Sequence, residues 1–335
     1  MFVQQRNSLN ESDSKAEHAC RQSMAKAGYA FGDAPASFHW SQLVNPLGDK
    51  DAAITAYELL LTQEPENKSA LEGLAFIYQT LGNFEKAYRF RQSLRQIEAN
   101  GMGIDVTAHP EVVSYLLSKT GEAPQPERVP VDYVSALFDS YAENFDNQLC
   151  DLLDYKGHLL VEKACRQACD EIFAAKDELC ALDIGCGTGL TGARIQDLFT
   201  VIDGVDLSPN MLDIARSRNV YTKLVNADYQ HYLSKNLKKY EVITASDVLI
   251  YEGDLHKTLA LVFGSLAKDG YFIFTVEKGA TDHFCLRNTG RFQHNTDYVS
   301  GLAKKCGFSI EVMRDVELRV DEGQGVSGVI FTLKR

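Results

Sequence analysis

The stretch at residues 182–192, LDIGCGTGLTG, decides the fold of the larger part of this 335-residue chain. It follows an apolar run that ends at Ile184, and it precedes a helical pattern that starts near Thr191. Glycines at such a junction allow the backbone to turn tightly and to approach a ligand without an intervening side chain. In open α/β sheets, ligands bind beyond the carboxyl ends of the strands, where this loop is expected to lie.

The sequence around this loop alternates between apolar strands and amphipathic helices. Strands are predicted at residues 179–184, 201–206, 221–226, 241–246, 271–276, 309–314 and 328–333. Helices are predicted at 132–144 and 157–174 and from starts near Thr191, Pro209, Tyr229 and Asp254. This alternation indicates a parallel sheet covered on both faces. Only a loop separates the last two strands, so they are expected to form an antiparallel pair at one edge.

The glycines alone allow two interpretations. Gly187, Gly189 and Gly192 match G-x-G-x-x-G, the pattern of dinucleotide sites, whereas Gly185, Gly187 and Gly189 match an acidic residue followed by G-x-G-x-G. Acidic residues near successive strand ends favour the second pattern. These are Asp183, Asp206, Asp228 and Asp247.

Four segments carry a family resemblance. LDIGCGTG, VDLSPNML, NADY and YEVITASDVLIY together resemble the consecutive motifs of class I S-adenosylmethionine-dependent methyltransferases, and the terminal hairpin is typical of that family. The segments DYVSALFDSYAENFDNQL, SDVLIYEGDL, TGRFQH and GVSGVIFTLKR further resemble a group of predicted bacterial methyltransferases with N-terminal tetratricopeptide repeats. The resemblance implies an α/β fold with a Rossmann-like seven-stranded sheet and an antiparallel C-terminal hairpin. It also implies S-adenosylmethionine as the cofactor.

The resemblance also assigns roles around the cofactor. The three loop glycines and Asp183 would hold its methionine part, Asp206 its ribose hydroxyls and Asp228 its adenine amine, with Asp247 near the sulfonium or the amino group. The remaining expected cofactor contacts are Cys186, Leu207, Met211, Tyr229 and Tyr141. Two alternatives stay open. The alternative for Asp206 is a carboxylate at the start of the helix that Ser208 and Pro209 begin, which its position at the end of the strand disfavours. Tyr141 and Phe145 are either a lid or core residues, because their spacing suits both.

Candidate residues for the methyl acceptor come from the loop at 277–295 and from Tyr251. Loops longer than about 12–15 residues without structure of their own are usually functional or disordered. Arg287 and Arg291 are expected to clamp an anionic acceptor, and His294 is the candidate general base. The alternative for each is solvated charge on a surface loop. An acceptor that carries no proton needs no base, so the use of a base stays open.

Residues 34–119 show a repeat. The offset between Gly48 and Gly82 matches the tetratricopeptide period, with units at 34–67 and 68–101 and a helix at 110–118 as a cap. The predicted division is therefore 1–33, undetermined with a helix near 17–26, then the all-α tetratricopeptide-like domain at 34–119. A linker at 120–131 and the methyltransferase domain at 132–335 follow. Two repeats either bind a partner peptide or only pack on the second domain.

The composition of the chain limits the kinds of partner and ligand that it is expected to bind. The net charge of −12 argues against nucleic acid, since binding a phosphate backbone requires a concentrated basic face. Apolar runs are too short to span a membrane, and no secretory leader is apparent. The eight cysteines form neither C-x-x-C nor a zinc-finger spacing, although Cys165 and Cys169, one helical turn apart, would suit a metal. They are interpreted as reduced thiols of a cytoplasmic protein, and no metal is expected.

The sequence leaves three candidate functions. The first is methyl transfer to a small, anionic metabolite by in-line displacement. The second is methyl transfer to a protein or carrier-bound substrate that the repeats recruit. The third is a non-catalytic interaction protein with a degenerate methyltransferase fold, which the acidic residues at 183, 206 and 228 disfavour.

Overall fold

The structure is a computed structural model that describes residues 50–146, 149, 153–172, 178–321 and 323–335. Contacts divide the chain into two units, Met1–Gly101 and Met102–Arg335. The helix expected near residues 17–26 lies outside the described residues. Within the described parts, none of the helices combines the length and the apolar character that crossing a bilayer requires.

The described part of the first unit is helical. Its helices are α1 (Lys50–Gln63), α2 (Lys68–Thr80) and α3 (Phe84–Gly101). Asn67 caps α2 by accepting a hydrogen bond from the Ala70 backbone amide at 3.0 Å. Gly73 lets α1 and α2 approach closely, because a Cβ there would lie 2.4 Å from the Tyr57 ring. These contacts confirm N-terminal helices, and their tetratricopeptide nature stays a prediction.

Helix α4 (Pro110–Ser118), expected as a cap of the repeats, belongs to the second unit, and its role as a cap stays a prediction. Within this unit, the Tyr115 hydroxyl donates a hydrogen bond to the Gly290 carbonyl at 2.8 Å. The segment at 120–131, predicted as a linker, is also held within this unit. The Val129 amide donates to the Tyr251 carbonyl at 2.9 Å, and the Gly253 amide donates to the Glu127 carbonyl at 2.7 Å.

The remaining elements alternate as expected. The helices are α5 (Val131–Tyr141), α6 (Gly157–Ile172), α7 (Leu190–Ile195), α8 (Pro209–Ser217), α9 (Tyr229–Lys235), α10 (His256–Ser265) and α11 (Thr296–Lys305). Short 3-10 turns cover Ala142–Asn144 and Leu249–Tyr251. The strands are β1 (Cys180–Ile184), β2 (Val201–Asp206), β3 (Lys223–Asn226), β4 (Tyr240–Ala245), β5 (Leu266–Lys278), β6 (Phe284–Leu286), β7 (Phe292–His294), β8 (Ser309–Asp321) and β9 (Gln324–Lys334).

The strands form one mixed sheet with the order β3-β2-β1-β4-β5-β7-β6, and β9 pairs with both β5 and β8. Strands β1 to β5 pair in parallel, whereas β9 runs antiparallel to β5 and β8, as the sequence predicts. The expected count of seven strands is wrong. The described residues contain nine, because the stretch predicted as a long loop folds partly into the hairpin β6–β7.

The core lies on both faces of this sheet, because side chains alternate along each strand. Leu182 and Phe274 pack with α10 and α11 on one face, and Ala181 and Tyr271 pack with α6 on the other. Burying a large apolar side chain contributes about 1.5–3 kcal/mol, so these two layers hold the strand ends in fixed positions. The cysteines in the described residues are free thiols.

Candidate active site

An open cleft of about 1110 Å³ lies at the carboxyl ends of β1, β2 and β4. Its lining residues come from the strand ends, from the segment at 128–149, and from the start of α6. They are Arg128, Val129, Val131, Val134, Phe138, Phe145, Leu149, Tyr155, His158, Gly185, Cys186, Gly187, Thr188, Leu190, Thr191, Val205, Asp206, Leu207, Ala227, Tyr229, Ser246, Asp247, Val248, Tyr251, Glu252 and Arg291.

The glycine loop forms the floor of the cleft. Gly185, Gly187 and Gly189 all have positive φ, at 63°, 52° and 88°, which other residues rarely adopt. The Gly185 amide donates to the Val205 carbonyl at 2.7 Å and fixes the loop against β2. A Cβ on Gly187 would meet no protein atom within 4 Å. The loop therefore presents bare backbone to open space at Gly187, while Gly189 turns the chain into α7 and does not line the cleft.

Asp206 ends β2 and lines the cleft. Its Oδ2 accepts the Gly187 amide at 2.8 Å, and its Oδ1 accepts the Ser208 amide at 2.9 Å. Burial raises the pKa of Asp206, and these amides oppose the rise. The helix cap at α8 is Ser208, whose Oγ accepts the Met211 amide at 3.1 Å. Asp206 is therefore not that cap, and each of its oxygens keeps capacity for a further hydrogen bond.

Helix α5 covers one side of the cleft. The Ser135 hydroxyl donates to the Leu207 carbonyl at 3.2 Å, and Asp139 Oδ1 accepts from the Ser208 hydroxyl at 2.5 Å. These bonds place the Phe138 ring over the cleft. The ring meets Phe145 at 5.9 Å between centroids and Tyr251 at 5.6 Å, both edge-on. The three rings form an aromatic wall, and Phe145 is part of it.

Asp247 follows β4 with a φ of 60°, an uncommon conformation for a residue other than glycine. Its amide donates to the Thr275 hydroxyl at 2.9 Å, and its Oδ2 accepts from Arg319 Nη1 at 2.9 Å. Arg319 is buried in β8 and also pairs with Glu277. Asp247 Oδ1 is buried, and no group among the described residues hydrogen-bonds to it. The site thus holds a carboxylate by one oxygen and leaves the other free toward a ligand.

Arg291 and Tyr251 lie together at the edge of the cleft. The Arg291 guanidinium donates a hydrogen bond to the Tyr251 hydroxyl and lies 3.5 Å from the Asp321 carboxylate. Burial raises the pKa of Tyr251, so the phenol is protonated at neutral pH. The structure therefore brings these two predicted acceptor residues together.

Tyr155 and His158 line the cleft, although sequence reasoning missed both. The Tyr155 hydroxyl shares a hydrogen bond with the Ser246 hydroxyl at 2.7 Å, and the rings of Tyr155 and His158 stack at 5.5 Å. Burial lowers the pKa of His158, and its Nδ1 has no hydrogen-bond partner within the described residues. The only sequence signal was their place just before and within the first turn of a predicted helix.

Asp183 and Met211, predicted as cofactor contacts, do not line the cleft. Asp183 lies within β1 and shares a face with Ala181, so its side chain points into the packing layer. It accepts hydrogen bonds from the Tyr221 hydroxyl at 2.8 Å and the Thr244 hydroxyl at 2.7 Å, and burial raises its pKa to about 6. Met211 is fully buried in the first turn of α8. Both are structural residues here.

Asp228, the predicted partner of the adenine amine, is also outside the lining. It caps α9 by accepting the His231 amide at 3.0 Å, and its other oxygen pairs with Arg128 at 2.5 Å. Arg128 also contacts Glu252 at 2.9 Å and lies over the Tyr229 ring. Arg128 thus contacts the carboxylate that was expected to bind the adenine amine. Tyr229, another predicted cofactor contact, lines the cleft.

Three further candidates are not brought to the cleft. His294 is fully buried in β7, where its Nε2 faces the carbonyls of Glu252 at 2.8 Å and Gly253 at 3.2 Å, and burial lowers its pKa to about 4. It is therefore no general base at this site. Arg287 is exposed at the turn between β6 and β7. Tyr141 is 46% exposed at the end of α5. Neither lines the cleft.

The remaining residues fit S-adenosylmethionine. The bare loop at Gly187 offers space and amides, Asp206 ends a strand where hydroxyl groups of a ribose can bind, and the Asp247 oxygen without a partner suits a cationic or hydrogen-bond-donating group. When bound, this cofactor supplies an activated methyl group.

Comparison with known proteins finds methyltransferases. Residues 157–307 match the family model described as a methyltransferase domain. The chain is 26% identical over 98 residues to the ubiquinone biosynthesis O-methyltransferase of Coxiella burnetii, covering 28% of this chain and 42% of that protein. It is 28% identical over 109 residues to the protein of that name from Glaesserella parasuis, covering 30% and 46%. The chain spans less than half the length of these curated relatives.

A solved structure of similar fold is the magnesium protoporphyrin IX methyltransferase from Synechocystis PCC 6803 with bound S-adenosylhomocysteine. It has 14% sequence identity and a TM-score of 0.45, and the match covers 61% of this chain and 99% of that one. By the match to the family model, residues 157–307 of this chain form an S-adenosylmethionine-dependent methyltransferase domain.

Proposed function

We propose that this chain transfers the methyl group of S-adenosylmethionine to a small, anionic metabolite. The observation that carries the proposal is one cleft with two differently built ends. The donor half comprises Gly185, Gly187, Asp206, Leu207 and Tyr229, and the acceptor half comprises Phe138, Phe145, Tyr251 and Arg291. Asp247 lies between the two halves.

The residues of the donor half would bind through the groups already described. Asp206 accepts hydrogen bonds from ribose hydroxyls, and the amides of the glycine loop face the methionine part. Leu207 and Tyr229 offer apolar surface to the adenine. Asp247 keeps its free oxygen for the amino group of the donor or for a proton of the acceptor.

Methyl transfer is an in-line displacement at carbon, so the protein must mainly align the reacting atoms and exclude water. The cleft is suited to that task because apolar and aromatic side chains make up much of its lining. Of the described histidines, His294 faces carbonyls away from the cleft, whereas His158 lines it beside Tyr155. Alignment is the contribution that this lining supports for every acceptor, and a base is needed only for an acceptor that carries a proton.

The proposal is tested by transfer of labelled methyl groups. The full chain is incubated with methyl-labelled S-adenosylmethionine and a cell extract that has been separated into small molecules and macromolecules. We expect label to appear in the small-molecule fraction, and Asp206→Ala to abolish it. Calorimetry with S-adenosylhomocysteine checks binding alone. Binding without transfer to either fraction would favour the non-catalytic interpretation.

A second candidate is methylation of a protein or carrier-bound substrate that the N-terminal helices recruit. One observation favours it: Phe76, Leu81, Phe84 and Tyr88 are large apolar residues that are 42–69% exposed in the first unit. In this case label would enter the macromolecular fraction. The double variant Phe84→Asp, Tyr88→Asp would then reduce that label while S-adenosylhomocysteine still bound normally.

A further inference from the structure

Arg291 is the cation of the cleft that has binding capacity left. Among the described residues, two arginines line the cleft, and Arg128 is held by carboxylates at 2.5 and 2.9 Å. Arg291 has one hydrogen bond to the neutral Tyr251 hydroxyl and a long contact of 3.5 Å to Asp321. A guanidinium carries five N–H groups, so Arg291 retains donors for a ligand. Its planar fork matches a carboxylate, which it can bind with two parallel hydrogen bonds.

The other charges near Arg291 are already engaged with each other. Asp247 and Glu277 both pair with Arg319, whose side chain is 1% exposed. Asp321 is 38% exposed, so solvent screens it from Arg291. An anion that enters the cleft therefore meets Arg291 as its nearest available counter-charge.

The surface next to Arg291 is aromatic. Tyr251, its hydrogen-bond partner, meets the Phe138 ring at 86°, and Phe138 meets Phe145 at 72°. Rings arranged in this way leave faces and edges on which another flat ring can pack, and such aromatic contacts add about 0.5–1.5 kcal/mol beyond the area that they bury. Val134 extends the same apolar surface along α5.

The position of Arg291 is fixed before any ligand binds. Gly290, its neighbour, is held by the Tyr115 hydroxyl at 2.8 Å, and the Leu286 amide on the opposite strand donates to the Gln125 side chain at 3.1 Å. Both arms of the hairpin β6–β7 are thus attached to the segment at 110–126. A binding group that is already ordered loses less conformational entropy when a ligand arrives.

We infer that the acceptor is a flat aromatic acid, with its ring against Phe138, Phe145 and Tyr251 and its carboxylate on Arg291. This inference rests on the proposed function and adds the chemical class of the acceptor. It concerns recognition: a carboxylate held by Arg291 serves as the anchor, and the methyl group goes to another atom of the molecule.

The test uses the full chain saturated with S-adenosylhomocysteine, so that the donor half is filled. Binding of 2-naphthoate is measured by calorimetry or ligand-observed NMR. Two probes isolate the two features: 2-naphthamide has the ring without the charge, and decahydro-2-naphthoate has the charge without the aromatic ring. We expect 2-naphthoate to bind at least about tenfold more tightly than either, since a tenfold change corresponds to about 1.4 kcal/mol.

Variants then test whether Arg291 causes the preference for 2-naphthoate over 2-naphthamide. Arg291→Gln is expected to remove the preference for 2-naphthoate over 2-naphthamide, and Arg291→Lys to restore part of it. Arg287→Gln is the matched control, because Arg287 lies on the same hairpin but is exposed and outside the cleft. Retained binding of S-adenosylhomocysteine shows that each variant is folded.

The outcomes separate this inference from the proposed function. If S-adenosylhomocysteine does not bind the unaltered chain, the proposed function fails. If it binds but 2-naphthoate shows no preference over the amide, or Arg291→Gln keeps that preference, the acid anchor is wrong. If decahydro-2-naphthoate binds as tightly as 2-naphthoate, the aromatic assignment is wrong.

Discussion

The donor half and the acceptor half of the cleft are built by different means. In the donor half, strand ends position the glycine loop, so much of the binding surface is backbone. In the acceptor half, side chains come from α5, from the two 3-10 turns or the residue that follows, and from the turn before β7. Helix α5 and the hairpin β6–β7 are each attached to α4 through Tyr115, by a ring contact and by a single hydrogen bond. The position of the donor half follows from the strands of the sheet. The acceptor half depends on individual side chains, and two of them, Phe138 and Phe145, lie outside the matched segment at 157–307.

The largest effect is expected where the two halves meet, at Arg319. Arg319→Met should lower the free energy of unfolding by about 3–5 kcal/mol, because it leaves the buried carboxylates of Asp247 and Glu277 without their partner. Urea unfolding of the full chain measures the change. Arg166→Met is the control, since Arg166 is exposed and its pairs should contribute less than about 1 kcal/mol. Equal effects for both variants would contradict a structural role for the buried cluster.

The next effect isolates the donor half. Asp206→Ala should weaken binding of S-adenosylhomocysteine by about 100-fold, because hydrogen bonds to a charged group contribute about 1.5–3 kcal/mol each. Binding of 2-naphthoate should not change. Calorimetry with each ligand measures both. Asp213→Ala serves as the control, because Asp213 is an exposed acid on α8. Loss of both ligands together would mean that the halves are not separable.

A smaller effect is expected at Asp183, which is buried in β1, the strand that leads into the glycine loop of the donor half. Burial raises the pKa of Asp183 to about 6, so the folded state favours its protonated form, and its contribution to stability falls as pH rises from about 4 to about 6. Asp183→Asn removes this titration. Relative to the unaltered chain, the variant should gain about 2 kcal/mol of unfolding free energy between pH 4.5 and 7.5, at 1.36 kcal/mol per pKa unit. If the unfolding free energies of the variant and of the unaltered chain, measured in urea, change with pH in the same way, the pKa of Asp183 is not raised.

The smallest effect separates a helix cap from a ligand contact. Asp228→Ala should lower the unfolding free energy by about 1 kcal/mol, since Asp228 caps α9, and it should change donor affinity by less than about threefold. Urea unfolding and calorimetry with S-adenosylhomocysteine give the two numbers. A loss of donor affinity of tenfold or more would return Asp228 to the role that the family resemblance implies.

Several of the predicted residues that line the cleft share one property: they follow a strand. Gly185, Gly187, Asp206, Leu207 and Asp247 lie at the end of β1, β2 or β4 or just beyond it, where the fold alone points them toward a ligand. Two other predicted residues are kept from the cleft by side-chain direction. Asp183 lies inside β1 and His294 ends β7, and both side chains are buried in packed layers.

The missed residues lacked any pattern that indicates a binding site. Arg128 lies in a proline-rich stretch that was interpreted as a linker, and Phe138 has the spacing of an ordinary core residue. Their roles depend on contacts across the chain, such as the pair between Arg128 and Glu252, which no local sequence pattern predicts. Arg319 likewise looks like one polar residue of an edge hairpin, yet it is almost fully buried.

The hydrogen bond between Tyr115 and Gly290 has a consequence for how such a protein diversifies. It joins a helix that is remote in sequence to the residue before Arg291, and a Cβ at Gly290 would come within 2.5 Å of that hydroxyl. A substitution in α4 therefore shifts the guanidinium without altering any residue that receives the methyl donor. Descendants of this chain can acquire new substrates by drift in one helix while the transfer chemistry is inherited intact.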